Sequence, residues 1–143
     1  MQGETATAFF DKTYEEAQQL LIEARDYIAT EEKADLAELL PGDRLRLSRE
    51  TCRLTSRITN IMSWFFARKA VLAGEITPYE AMEPPYVLER DEILADGDPA
   101  AYEDLPEMLM ELMERSHRLY IRVVRLDEMV RQGAGAGPPR FLI

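Results

Sequence analysis

The sequence predicts an all-α protein: a three-helix up-down-up bundle with a long central helix, most simply paired as a two-fold homodimer. Three observations point there. Apolar residues recur at alternating steps of three and four along three stretches, the period of a helix that buries one face. The middle stretch, Asp43 to Ala73, holds neither Pro nor Gly. Two of the stretches are apolar or uncharged on a second side as well, more than one small bundle can hide.

The first helix is expected over about 13–30. Thr13-Tyr14-Glu15-Glu16 has the capping-box pattern, in which hydroxyl and carboxylate satisfy each other's free backbone amides. Ala17, Leu21, Ala24 and Ile28 then mark its seam. A polar stretch from Thr30 to Asp35 ends it, and Pro41-Gly42-Asp43 breaks the chain. The second helix is expected over 43–73, with Gly74 as its stop and Leu47, Thr51, Leu54, Ile58, Ile61, Phe65 and Leu72 as its seam.

Residues 74–103 read as a long acidic crossover, in which Thr77-Pro78-Tyr79-Glu80 opens a short helical piece that Pro84-Pro85 halts. Asp104-Leu105-Pro106 opens the last helix, expected over 104–132 and closed by Gln132-Gly133. Its seam is Leu109, Leu112, Ser116, Leu119, Val123, Leu126 and Val130. The expected organisation is therefore one bundle domain over 1–132 and a flexible tail over 133–143, ending Arg140-Phe141-Leu142-Ile143.

Charge runs in blocks. Residues 1–43 and 74–114 are strongly acidic, whereas 44–73 and 115–143 are basic, and the whole carries −10. Such blocks neutralise one another within a fold or across an interface, and the overall field repels phosphate, so nucleic acid is not expected as the main ligand. A single cysteine, Cys52, forms no internal disulfide and fits a reducing cytoplasm. Met1 to Phe10 lacks a basic leader region, and the uncharged run Ile58 to Ala67 is half a membrane span, so no membrane is expected.

Faces left over after the core is built suggest interaction surfaces. On the last helix Met110, Met113, His117, Ile121 and Val124, with Tyr120 beside them, form a second apolar stripe. On the central helix the side opposite the seam holds Ser48, Cys52, Thr55, Ser56, Thr59, Ser63, Phe66 and Ala70, without a charge. Met110, Met113, His117, Tyr120, Ile121, Val124, Cys52, Thr59 and Phe66 are the expected dimer interface, because charge depletion with Met and aromatic residues marks interface cores. A flank of the central helix carries Arg46, Arg53, Arg57, Asn60 and Trp64. Arg46, Arg53, Arg57 and Trp64 are the expected partner-binding residues, since Arg and Trp dominate binding energy at many interfaces. The same arginines could pair internally with acidic residues of the first helix or the crossover.

No catalytic constellation is visible. Glu114-Arg115-Ser116-His117 has the E-x-x-H spacing of di-iron bundles, but such sites need two copies and the chain has one histidine. Cys52 has no histidine near it in sequence, and no phosphate loop, G-x-S-x-G or C-x-x-C occurs. No cofactor or metal and no enzymatic activity are expected; a binding or adaptor protein is. The alternative is a dimeric nucleic-acid-associated regulator that uses the Arg46, Arg53, Arg57 flank.

Two blocks carry a resemblance to a known family. Glu50-Thr51-Cys52-Arg53-Leu54-Thr55-Ser56-Arg57, then Ser63-Trp64, Ala70-Val71 and Gly74-Glu75-Ile76-Thr77, resembles the central helix of the RcdA family, the regulators of CtrA degradation. Leu105-Pro106, Leu109, Leu112, Arg115-Ser116, Arg118-Leu119, Arg122, Leu126-Asp127 and Met129 are similar to its last helix. The resemblance implies a three-helix-bundle dimer without enzymatic activity, an adaptor in bacterial cell-cycle proteolysis. Such an adaptor would bridge the ClpXP protease, with a small response regulator, to cargo proteins.

Overall fold

The structure is a computed structural model that describes residues 2–90 and 104–135. Four α-helices make up most of it: α1 (Gln2–Asp26), α2 (Glu32–Ala37), α3 (Pro41–Leu72) and α4 (Glu107–Gly135). Among the described residues there is no strand, so the all-α class expected from the sequence holds.

The first helix begins at Gln2, eleven residues ahead of the expected start. Thr13 is mid-helix and buried, and its hydroxyl donates to the Phe9 carbonyl at 2.8 Å, so the capping-box pattern there is unused. A hydroxyl can cap only where the preceding turn is absent, and here nothing in the sequence interrupts it. The same pattern works at Thr77 and Glu80: the Glu80 amide donates to Thr77 Oγ1 at 3.0 Å and the Thr77 amide to Glu80 Oε1 at 3.3 Å, opening a 3-10 turn over Glu80–Met82. The seam of α1 is correct at Ala17 and Ala24 but runs through Leu20 and Tyr27; Leu21 and Ile28 are exposed.

A single π turn, Tyr27–Glu31, joins α1 to α2. Buried Tyr27 spans it, its hydroxyl donating to Asp35 Oδ2 at 2.9 Å. Burial first, and then the Asp35 carboxylate, push the Tyr27 phenol well above its ordinary pKa. Leu40 turns extended, and Pro41 sits at the opening of α3, where its missing N–H leaves no bond unmade. Gly74, in the left-handed region at φ 73°, closes α3, its amide donating to the Val71 carbonyl at 3.1 Å. That stop was legible in the sequence.

The α3 seam is buried from Leu47 to Phe65, but Leu72 is exposed. All seven residues of the α4 seam are buried. Helix α4 starts at Glu107 and continues past the expected stop through Gly135, so residues 133–135 are helix rather than tail. Residues 91–103 of the crossover and 136–143 of the tail lie outside the described residues.

The direction of α4 corrects the up-down-up order. Arg46 meets Asp104, Arg57 meets Met113 and Ser116, and Trp64 meets Asp127, so numbers rise together along both helices. Helices α3 and α4 are parallel. Against α1 the order reverses, with Glu23 on Arg115 and Glu16 on Arg122. The order is thus up-down-down. Parallel neighbours need a long connection between them, a geometry that short-loop reasoning does not favour. Phe10, Tyr14, Trp64 and Phe65 fill the α1–α3 interface, the Phe10–Phe65 and Trp64–Phe65 ring centroids both lying 5.1 Å apart.

Candidate functional site

The arginine flank of α3 faces inward. Arg57 is fully buried; its Nη1 donates to the Met113 carbonyl at 3.1 Å and to Ser116 Oγ at 2.8 Å. Ser116 in turn donates to the Met113 carbonyl at 2.9 Å, which explains a serine in a seam of leucines. Arg53, also buried, holds both carboxylate oxygens of buried Glu50 at 3.0 and 2.9 Å. Arg46, half-buried, pairs with Asp104 at 3.2 Å.

Trp64 is buried and its Nε1 donates to Asp127 Oδ1 at 3.0 Å, while Oδ2 accepts from Arg90 Nη2 at 2.7 Å and Arg131 Nε at 2.9 Å. Burial alone would raise the Asp127 pKa; the donors from Arg131, Arg90 and Trp64 outweigh it and hold the carboxyl below its ordinary range. Arg68 lies against the Trp64 ring at 5.9 Å, 1% exposed, with Nε and Nη1 making no hydrogen bond.

The crossover seals this seam. The Asn60 amide clamps the Glu89 backbone, donating to its carbonyl at 2.9 Å and accepting from its N–H at 3.0 Å. Tyr120 donates its hydroxyl to the same carbonyl at 2.7 Å, and Leu88 enters the core. Arg53, Arg57 and Trp64, the expected partner-binding residues, are buried within the protomer: Arg57 and Trp64 bond across to α4, and Arg53 bonds to Glu50 of α3 itself. Two of the three arginines that a nucleic-acid reading needs, Arg53 and Arg57, are thus buried. The sequence signal missed was Asp127, since a buried Trp on a charged flank requires an acceptor for its N–H.

The expected dimer residues divide. Met113 and Tyr120 are buried core, because Tyr120 is held beneath the crossover. Met110, His117, Ile121 and Val124 are half-buried along the back of α4. Cys52, Thr59 and Phe66 are exposed on α3, with Thr55, Ser56 and Ser63 around them.

The α1–α4 groove is laced by ion pairs. Arg115 grips both oxygens of Glu23, at 3.0 and 2.6 Å, and Arg122 pairs with Glu16. The Arg115 hydrogen bond holds the Glu23 carboxyl below its usual range. A shallow groove of about 290 Å³ lies between these pairs, and a second, about 460 Å³, runs along α4 past His117, Arg118, Ile121, Arg122 and Arg125. Among the described residues, no group of three or more His, Cys, Asp or Glu could hold a metal ion, and no helix is long and apolar enough to cross a membrane.

Fold and site together define a helical protein whose chemistry is that of packed arginines and of surfaces. The chain belongs to the RcdA family: the family model described as Protein of unknown function (DUF1465) matches residues 1–138. It is similar to the crystal structure of RcdA from Caulobacter crescentus CB15, with 34% sequence identity over 83% of this chain and 88% of that chain, and a TM-score of 0.67. No curated protein matches it.

Proposed function

We propose that this protein is a non-enzymatic adaptor in regulated proteolysis, a cytoplasmic homodimer that bridges ClpXP, together with a small response regulator, to cell-cycle cargo proteins. The observation that carries this reading is the likeness to RcdA, which extends over most of both chains. The surfaces agree with it: apart from the shallow grooves on α1 and α4, the notable features are exposed or half-buried helix faces. Arg57 and Trp64 serve this role by fixing the α3–α4 seam, and partner contacts fall to exposed residues.

Affinity capture from a native extract, with the retained proteins identified by mass, is the test. Retention of the protease and a response regulator, followed by faster cargo loss when the purified chain is added to a ClpXP reaction, supports the reading. Retention of chromosome proteins and no change in cargo loss would overturn it.

A further inference from the structure

The Leu88–Arg90 stretch of the crossover is held as a bound peptide is held. Leu88 is 3% exposed, whereas residues 83–86 before it and Glu89 and Arg90 after it are exposed, so one apolar side chain anchors a segment with no regular structure of its own. Asn60 of α3 bonds both polar groups of the Glu89 backbone. In extended backbone the N–H and carbonyl of one residue face the same side, so the Asn60 amide stands where a neighbouring strand would. Tyr120 of α4 adds a second donor to that carbonyl. None of these bonds involves the Glu89 side chain.

The next contact is acidic. Arg90 reaches Asp127 Oδ2 at 2.7 Å and Glu128 Oε1 at 3.3 Å. Apolar socket, backbone clamp and carboxylate pair therefore follow one another in the order Leu, any residue, Arg. That is the division of labour in recognition of extended peptides, where main-chain bonds give affinity and alternate side chains give specificity.

The acidic socket is also furnished to release Arg90. Parting a buried ion pair is costly because it leaves a charge uncompensated. Here Asp127 keeps the Trp64 and Arg131 donors. Arg68, buried against the Trp64 ring with Nε and Nη1 making no hydrogen bond, is a further cation whose charge Asp127 favours.

We infer that the α3–α4 seam at the level of Asn60 and Asp127 is a docking site for an extended peptide of the pattern Leu-X-Arg, occupied in this structure by residues 88–90 in place of a partner's segment. This rests on the adaptor role for the partner, a protein, and names where one of its segments sits. The tether gives the chain's own copy an effective concentration in the millimolar range, so a chance Leu-X-Arg peptide is turned away. A partner that binds more tightly, or that holds the chain elsewhere as well, displaces it.

Fluorescence anisotropy of a labelled synthetic peptide with the sequence of residues 85–90 tests it. The wild type, whose own segment competes, should bind the peptide weakly. Leu88→Ala with Arg90→Ala should bind it on the order of tenfold more tightly, and adding Asn60→Ala should cost that variant on the order of tenfold. A control peptide with Ala at its Leu and Arg positions should bind none of them. Should Leu88→Ala lower helicity by circular dichroism, Arg90→Ala alone, at an exposed position, serves as the receptor with the same expected order. Equal binding by wild type and variants, or binding by none, overturns the site and leaves the adaptor role to the protease assay above. Binding in the expected order without a change in cargo loss keeps the site and overturns the adaptor role.

Discussion

Trp64 Nε1 donates to Asp127 Oδ1 at 3.0 Å across two parallel helices, making one buried carboxylate the joint of α3, α4 and the crossover. Trp64→Phe keeps most of the ring and deletes the donor, so a loss of about 1.5 kcal/mol is expected, typical of a hydrogen bond to a charged group. Asp127→Asn should cost more, about 2–3 kcal/mol. That is less than a fully buried pair loses, because the Arg90 and Arg131 side chains are 40% and 37% exposed. Urea denaturation of the two variants checks the order; equal losses would contradict it.

Acid should weaken the bundle. Asp127 and Glu23 both have folded pKa values held below their unfolded ones, so each contributes stability that is full above the unfolded carboxylate range, near pH 4. That contribution declines as pH falls through the folded values. Urea midpoints between pH 6 and pH 3 should therefore fall, and more gently in Asp127→Asn.

Replacing Arg68 by Met is expected to be neutral or stabilising by roughly 1 kcal/mol. The guanidinium is buried with two N–H-bearing nitrogens unbonded, and burial lowers its pKa. Its contact with the Trp64 ring, worth about 0.5–2 kcal/mol, opposes that gain. A thermal melt that drops by more than a few degrees would show the ring contact to be the larger effect.

Arg57→Ala should be the most damaging single change on α3, at about 3 kcal/mol, because it empties a buried site and strips Ser116 of its donor. Ser116→Ala, which leaves Arg57 its bond to the Met113 carbonyl, should lose about 1 kcal/mol. A double-mutant cycle in guanidinium chloride should show coupling between the two positions.

What the sequence disclosed followed periodicity. The α4 seam was readable to the last residue because nothing polar but Ser116 interrupts it, and Gly74 was readable as a stop because only its backbone freedom ends so long a helix cheaply. Thr13 misled because a capping pattern inside a continuous helix looks the same as one at a start. Arg53, Arg57 and Trp64 misled for another reason. Amino-acid type suggests a surface, whereas their placement is decided by Glu50, Ser116 and Asp127, partners reached through α3 itself or through a helix whose direction spacing does not reveal.

The shared direction of α3 and α4 has an electrostatic outcome. Their macrodipoles add, where an alternating order would have opposed them, leaving partial positive charge at the pole of Pro41 and Glu107 and partial negative charge at the other. Asp43 and Glu107 in the first turns of the two helices, and Lys69 in the last turn of α3, each oppose the backbone charge beside them.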